Sequence, residues 1–172
     1  MSLSIAEGKT FGFAAQFPAV LSQCRAENCR EVYEQHRHRV YSVAFWMTDN
    51  ELLAEELMIR TFCRVFDGND AATSDEIDSS LIAELRSCVE LGTLSLNCSP
   101  CREVLSVRRN TLRVDLERAV VQLPDTEKLM FLMHDVEGYE HGRVARLLGV
   151  SEDESRQGVH QARLRLRELL AK

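Results

Sequence analysis

Apolar side chains recur along this chain at three- and four-residue steps rather than in alternation, so the elements they outline are helices. From Arg30 to Thr48, Val32, Tyr33, Val40, Val43, Ala44 and Met47 make one stripe, while Glu34, Gln35, Arg37 and Arg39 take the other face. Thr48-Asp49-Asn50 breaks that helix, and Asp49 or Asn50 can cap the next one. Glu51 to Phe66 then points Leu53, Leu57, Phe62, Val65 and Phe66 inward, giving two antiparallel helices as the heart of an N-terminal half. Asp67-Gly68-Asn69-Asp70 ends the pair. A third helix is read from Ile77 to Leu91, with Leu81, Leu85 and Cys88 on one face, before the turn-rich stretch Gly92 to Pro100. The residues ahead of 29 show no firm period, although a helix fits after Pro18.

The C-terminal pattern is sharper. Leu112 to Leu123 is helical, Leu123-Pro124-Asp125 halts it, and Pro124 suits the first turn of a helix running from Thr126 to Val136. Glu137-Gly138-Tyr139 turns the chain into a short helix, Glu140 to Leu148, with Val144, Leu147 and Leu148 inward. Gly149-Val150-Ser151 turns it again, and a last helix runs from Glu152 to the end. That order meets the needs of a helix-turn-helix. Ala145 is small enough for two helices to cross closely, Gly149 suits the left-handed end of the first, Val150 plugs the corner, and Ser151 can cap the second. Val159, Ala162, Leu166 and Leu169 repeat toward the core. Beside them Arg156, His160, Arg163 and Arg167 recur at the same spacing, and with Ser155, Gln157 and Gln161 they are the candidate DNA contacts. The competing structure is a plain helical hairpin whose arginines are a solvated face. Glu152, Asp153 and Glu154 at the helix start suit its dipole but would repel phosphates, so affinity should be modest and salt-sensitive.

Composition adds the fold class. With 6% aromatic residues and few Gly or Pro, the chain lacks the material of a strand-rich fold, and the expectation is all-α. Two small helical domains are expected: 29–91, then a linker 92–114, then the helix-turn-helix domain 115–172, with 1–28 as an extension. The net charge of −6 argues against a general nucleic-acid coat, yet it is uneven. Arg156, Arg163, Arg165, Arg167 and Lys172 gather at the end, whereas Asp67, Asp70, Asp75, Glu76 and Asp78 gather after the second helix. The apolar run Phe11 to Leu21 is interrupted by Gln16 and Pro18 and is too short to span a bilayer, so a cytoplasmic protein without a membrane partner is expected. Six cysteines then read as free thiols. Cys98-Ser99-Pro100-Cys101 leaves three readings open: half a zinc site, with Cys88, His134 or His141 as speculative further ligands, a redox pair, or incidental thiols. His36 and His38 are expected on a solvated face. No phosphate-cradling glycine loop, nucleophile elbow or carboxylate pair suggests an enzyme, a cofactor or a metal.

These residues carry a resemblance. Leu123-Pro124, Phe131-Leu132, Asp135-Val136-Glu137-Gly138, Val144-Ala145, Leu147-Leu148-Gly149-Val150-Ser151 and His160-Gln161-Ala162-Arg163 resemble the promoter-binding C-terminal domain of bacterial RNA polymerase sigma factors of the extracytoplasmic-function type. Val32-Tyr33-Glu34-Gln35-His36, Arg39-Val40-Tyr41, Ala54-Glu55-Glu56-Leu57 and Thr61-Phe62 resemble the core helices of that family's N-terminal domain. The resemblance implies a subunit that binds core RNA polymerase, through Glu55, Glu56, Ile59, Phe62 and Val65, and promoter DNA, through the last helix. The region after Phe66 would read and melt the downstream element, and an anti-sigma factor would be a partner. The chain departs from the pattern in that region. Met58-Ile59-Arg60 replaces the family's polar run, no aromatic residue lies between Phe66 and Phe131, Arg86 is the only basic residue from Asp70 to Leu91, and Ser155 and Gly158 replace an apolar residue and an Arg. Two functions therefore stand side by side: a divergent sigma factor that still initiates transcription, and a sigma-like regulator or adaptor that no longer opens promoters.

Overall fold

The computed structural model describes residues 13–67, 72–92, 94 and 112–171, and for 13–24 the helical path alone. Those residues form seven α-helices, one π-helical turn and no strand. Cys98 and Cys101, and most of the expected linker, lie outside the described residues.

Helix α1 (Phe13–Thr48) extends the expected first helix toward the N-terminus, so the expected boundary at residue 29 falls inside a continuous helix. Val40, Val43, Ala44 and Met47 are buried along it. Asp49, at φ 51°, reverses the chain in a left-handed conformation that Asp tolerates better than most residues. Asn50 then caps α2 (Glu51–Phe66), its side chain accepting from the Leu53 N–H at 3.1 Å. The inward faces meet through aromatic rings: Tyr33 stands edge-on to Phe62 at 4.9 Å, and Phe62 stacks on Phe66 at 5.7 Å.

Helix α3 spans Ser74–Leu85, not Ile77 to Leu91. It starts earlier because Thr73 and Glu76 make a capping box: the Thr73 N–H donates to Glu76 Oε2 at 2.7 Å, and the Glu76 N–H to Thr73 Oγ1 at 3.3 Å. It ends earlier because the chain passes into turns after Leu85, where the Ser87 hydroxyl binds the Glu84 carbonyl at 2.6 Å. Ile77, Leu81, Ile82 and Leu85 face inward. Two buried hydroxyls let α3 lie close to α2 without orphaned polar atoms, Ser80 donating to the Thr61 carbonyl and Thr61 to the Leu57 carbonyl.

The C-terminal half comprises α4 (Arg113–Val121), α5 (Asp125–Phe131), the π-helical turn Leu132–Val136, α6 (His141–Leu148) and α7 (Glu152–Ala171). Pro124 sits just ahead of α5 as its cap rather than inside its first turn. α7 packs across α5, α6 and α4, and the two halves touch: α3 lies on α6, and α1 on α4 and α5. A single apolar cluster runs through both, from Val40 to Leu166. None of the described helices is long and apolar enough to cross a membrane.

Phe62 belongs to this interior and Ile59 does not. Phe62→Ala should cost about 3–5 kcal/mol in urea unfolding, whereas Ile59→Ala should stay within about 0.5 kcal/mol of the parent.

Candidate nucleic-acid interface

The corner between α6 and α7 follows from its residues. Gly149, at φ 74°, ends α6 in the left-handed region, and the N–H groups of Gly149 and Val150 both reach the Ala145 carbonyl, at 2.9 and 3.0 Å. Val150 packs against the apolar cluster, and Val144, Ala145 and Leu148 face inward. Ser151 and Glu154 close a capping box on α7: the Ser151 N–H donates to Glu154 Oε2 at 2.7 Å, and the Glu154 N–H to Ser151 Oγ at 3.1 Å. These bonds hold the Glu154 carboxyl below the usual range and engage its charge in starting the helix.

Along α7 the side chains divide cleanly. Val159, Ala162 and Leu166 are buried; Arg156, His160, Arg163 and Arg167 are exposed on one stripe; Gln157 and Gln161 are half-buried at its edge. Ser155 is a correction. It is fully buried and its hydroxyl lies 3.2 Å from His141 Nδ1, so it joins α6 to α7 instead of facing a groove. Gly158 is also explained, because a Cβ there would collide with Met130 Sδ and press on Leu94. α7 crosses α5 closely at Gly158, where any side chain would need Met130 and Leu94 to give way.

Carboxylates already hold two of the striped arginines. Asp135, on the π-helical turn, takes Arg163 in a fork, with Nε at 2.8 Å and Nη2 at 2.6 Å. Arg156 pairs with Glu152 and, at 3.0 Å, with Asp153. Arg165 reaches back to the buried Glu127 at 2.8 Å, whose carboxyl burial pushes up against the pull of that arginine. Asp135 and Glu127 were missed in the sequence; Asp135 lies within the Asp135-Val136-Glu137-Gly138 run, but its pairing with a residue on another helix leaves no local mark. Under the corner the rings of His134 and His141 stack, centroids 3.9 Å apart. His134 Nδ1 meets the Tyr139 carbonyl at 2.7 Å, and burial, His134 and Arg156 together lower the His141 pKa. Cys88 is exposed, and among the described residues no group of three or more His, Cys, Asp or Glu is placed to hold a metal ion.

The second set of candidate residues divides differently. Glu55, Glu56 and Ile59 lie exposed on α2 beside Leu52, which is 78% exposed, and Glu56 pairs with Arg60. Phe62 and Val65 are buried and cannot present themselves to a partner without unpacking the core. This is a second correction to the expected contacts.

Comparison with known proteins agrees with this geometry. Residues 113–166, from the start of α4 to near the end of α7, match the family described as sigma-70, region 4. Over 174 aligned positions, 92% of this chain and 67% of the relative, the sequence is 27% identical to the ECF RNA polymerase sigma factor SigE of Mycolicibacterium smegmatis.

The lowered His141 pKa fixes a pH dependence. The unfolded chain takes up this proton more readily than the folded one, so the contribution of neutral His141 is complete above its ordinary value of 6.5 and declines as the pH falls below it. Urea unfolding on either side of that value should show the parent weakening in acid, and His141→Gln should flatten the dependence. An unchanged slope would remove His141 as its source.

Proposed function

Starting from a chain that ends in a sigma-70 region 4 helix-turn-helix and is related to extracytoplasmic-function sigma factors, we propose that it is a promoter-specificity subunit, binding core RNA polymerase through α2 and promoter DNA through α7. The observation that carries this reading is the stripe Arg156, His160, Arg163 and Arg167, exposed on the second helix of the helix-turn-helix with a buried stripe behind it. A helix so presented enters a major groove, where arginines reach phosphates and guanine edges. Arg163 would exchange one forked acceptor, Asp135, for another on DNA, and Arg156 would leave Glu152 and Asp153. The net gain from each exchange is smaller than that from a free arginine, so a modest, salt-sensitive affinity is expected.

On the other half, Leu52, Glu55, Glu56 and Ile59 offer an apolar pair flanked by acids, a surface suited to a partner with basic residues around an apolar centre. The same reading makes the protein cytoplasmic, without catalysis of its own, and open to control by an anti-sigma factor.

One observation favours the second reading, a sigma-like regulator that no longer opens promoters. Melting needs aromatic side chains to stack unpaired bases and cations to neutralise the strand. The described residues that follow α2 supply acids instead, and Arg86 is spent on the Leu148 carbonyl at 2.9 Å. In vitro transcription with core polymerase over a library of genomic templates separates the two: a product establishes initiation, and none from any template retires it.

Ile59→Glu should weaken retention by core polymerase about tenfold, the effect of losing a central apolar contact, with the urea midpoint nearly unchanged. Arg167→Gln should weaken duplex binding on all sequences and reduce the slope of log affinity against log salt by about 1.

A further inference from the structure

α3 turns acid toward the helix-turn-helix. Asp78 is buried, its side chain 4% exposed, and its carboxylate accepts from Arg39 of α1, from the Tyr139 hydroxyl at 2.7 Å and from Arg143 Nη2 of α6 at 2.9 Å. Arg143 also reaches Asp75 at 2.7 Å and the Ser74 hydroxyl at 2.9 Å, and its guanidinium carbon lies 4.0 Å from the centre of the Tyr139 ring. Arg39 donates to the Tyr139 hydroxyl and, at 3.3 Å, to Ser74 Oγ. A second strut, from Arg86 to the Leu148 carbonyl, satisfies an acceptor that the end of α6 leaves open. Arg39, Ser74, Asp75 and Asp78 come from the N-terminal half, and Tyr139 and Arg143 from the other.

We propose that this Asp78-centred clasp is a self-restraint, holding the chain closed so that α6 is withheld from DNA; the proposal rests on the DNA-binding reading above. In a helix-turn-helix the first helix crosses the phosphate backbone. In this chain Arg143, in the first turn of that helix, already faces Asp75 and Asp78, acids standing where phosphates would compete. The closed form also commits the face of α3 that bears Ser74, Asp75 and Asp78 to α6, so it cannot lie against a separate stretch of the same duplex. On opening, Asp78 keeps Arg39 on its own half and Arg143 returns to water or to phosphate, so the polar part of the contact leaves neither half with an unpaired buried charge. Such an equilibrium shifts toward the open form in proportion to how much better DNA or polymerase binds that form.

Asp78→Asn keeps the shape and removes the charge, and Tyr139→Phe removes one donor with the ring retained. The full chain, each variant and the parent are compared by small-angle scattering and by binding to a mixed-sequence 30-base-pair duplex at low salt. The expected result is a larger radius of gyration and roughly fivefold or greater tightening on the duplex for both variants, with Tyr139→Phe the smaller effect. Should Asp78→Asn fail to fold, Asp75→Asn, at an exposed edge of the clasp, takes its place. Unchanged scattering overturns the clasp, and expansion without tighter duplex binding overturns the restraint. Retention by core polymerase is read in parallel: its absence in parent and variants alike counts against the sigma-type reading, while the scattering result still decides the clasp.

Discussion

The structure depends on how α7 divides its surface. Its buried stripe holds Val159, Ala162 and Leu166, with Leu169 and Leu170 packed at the edge of the core, and in its first half Gly158 and Ser155 fill inward positions with almost no volume. That half, with so little apolar bulk, gains burial only by lying very close to its neighbours. Gly158 allows that approach to α5, and the bond between Ser155 and His141 satisfies the one hydroxyl the approach would otherwise strand. The rest of the helix-turn-helix is arranged around that proximity. Gly149 sets the angle at which α6 arrives, and the capping box at Ser151 fixes where α7 starts. The π-helical turn after α5 places Asp135 within reach of Arg163. The stripe from Arg156 to Arg167 faces outward because the opposite face has nowhere else to go.

Charge is treated alike throughout the molecule. In a chain of net charge −6, the arginines that matter most are each matched with a carboxylate: Arg163 with Asp135, Arg156 with Glu152 and Asp153, Arg165 with Glu127, Arg143 and Arg39 with Asp78. At exposed positions these pairs add little to stability. On the proposed DNA-binding reading their larger effect is on binding, since Arg156 and Arg163 must each leave an internal acid before meeting a phosphate. A low affinity for duplex DNA is what that reading then expects.

Helix identities were legible because the core positions repeat at helical spacing over long stretches, as in Val40-Val43-Ala44-Met47 and Val159-Ala162-Leu166. The corner was legible for a different reason: Gly149, Val150 and Ser151 each do what their local chemistry allows and little else. Errors arose where the deciding partner lies far along the chain. Ser155 is polar and beside the arginine stripe, yet it is buried because His141 waits for it across the corner. Phe62 and Val65 satisfy the inward period of α2 as well as the family pattern, and the period governs where they point. α3 starts three residues ahead of its apolar period because Thr73 and Glu76 form a capping box, a signal that the sequence carries. Arg39, counted among solvated residues, is drawn inward by Asp78 and Tyr139, which no single-helix pattern encodes.

Burial raises the Asp78 pKa while Arg39 and Arg143 pull it down, with burial the larger influence, so the cost of holding this charge between the halves is offset only in part by its arginine partners. The seam between the halves is apolar as well, since one apolar cluster runs through both, and the polar groups beside it are ones that water or a counter-ion can satisfy once it opens. On the proposed reading, a protein that presents one surface to polymerase and another to DNA gains by joining its halves in part through groups that water, phosphate and each other can all satisfy. The acidic character of α3 then has a physical role: Asp75 and Asp78 supply the counter-charge for Arg143 of the helix-turn-helix.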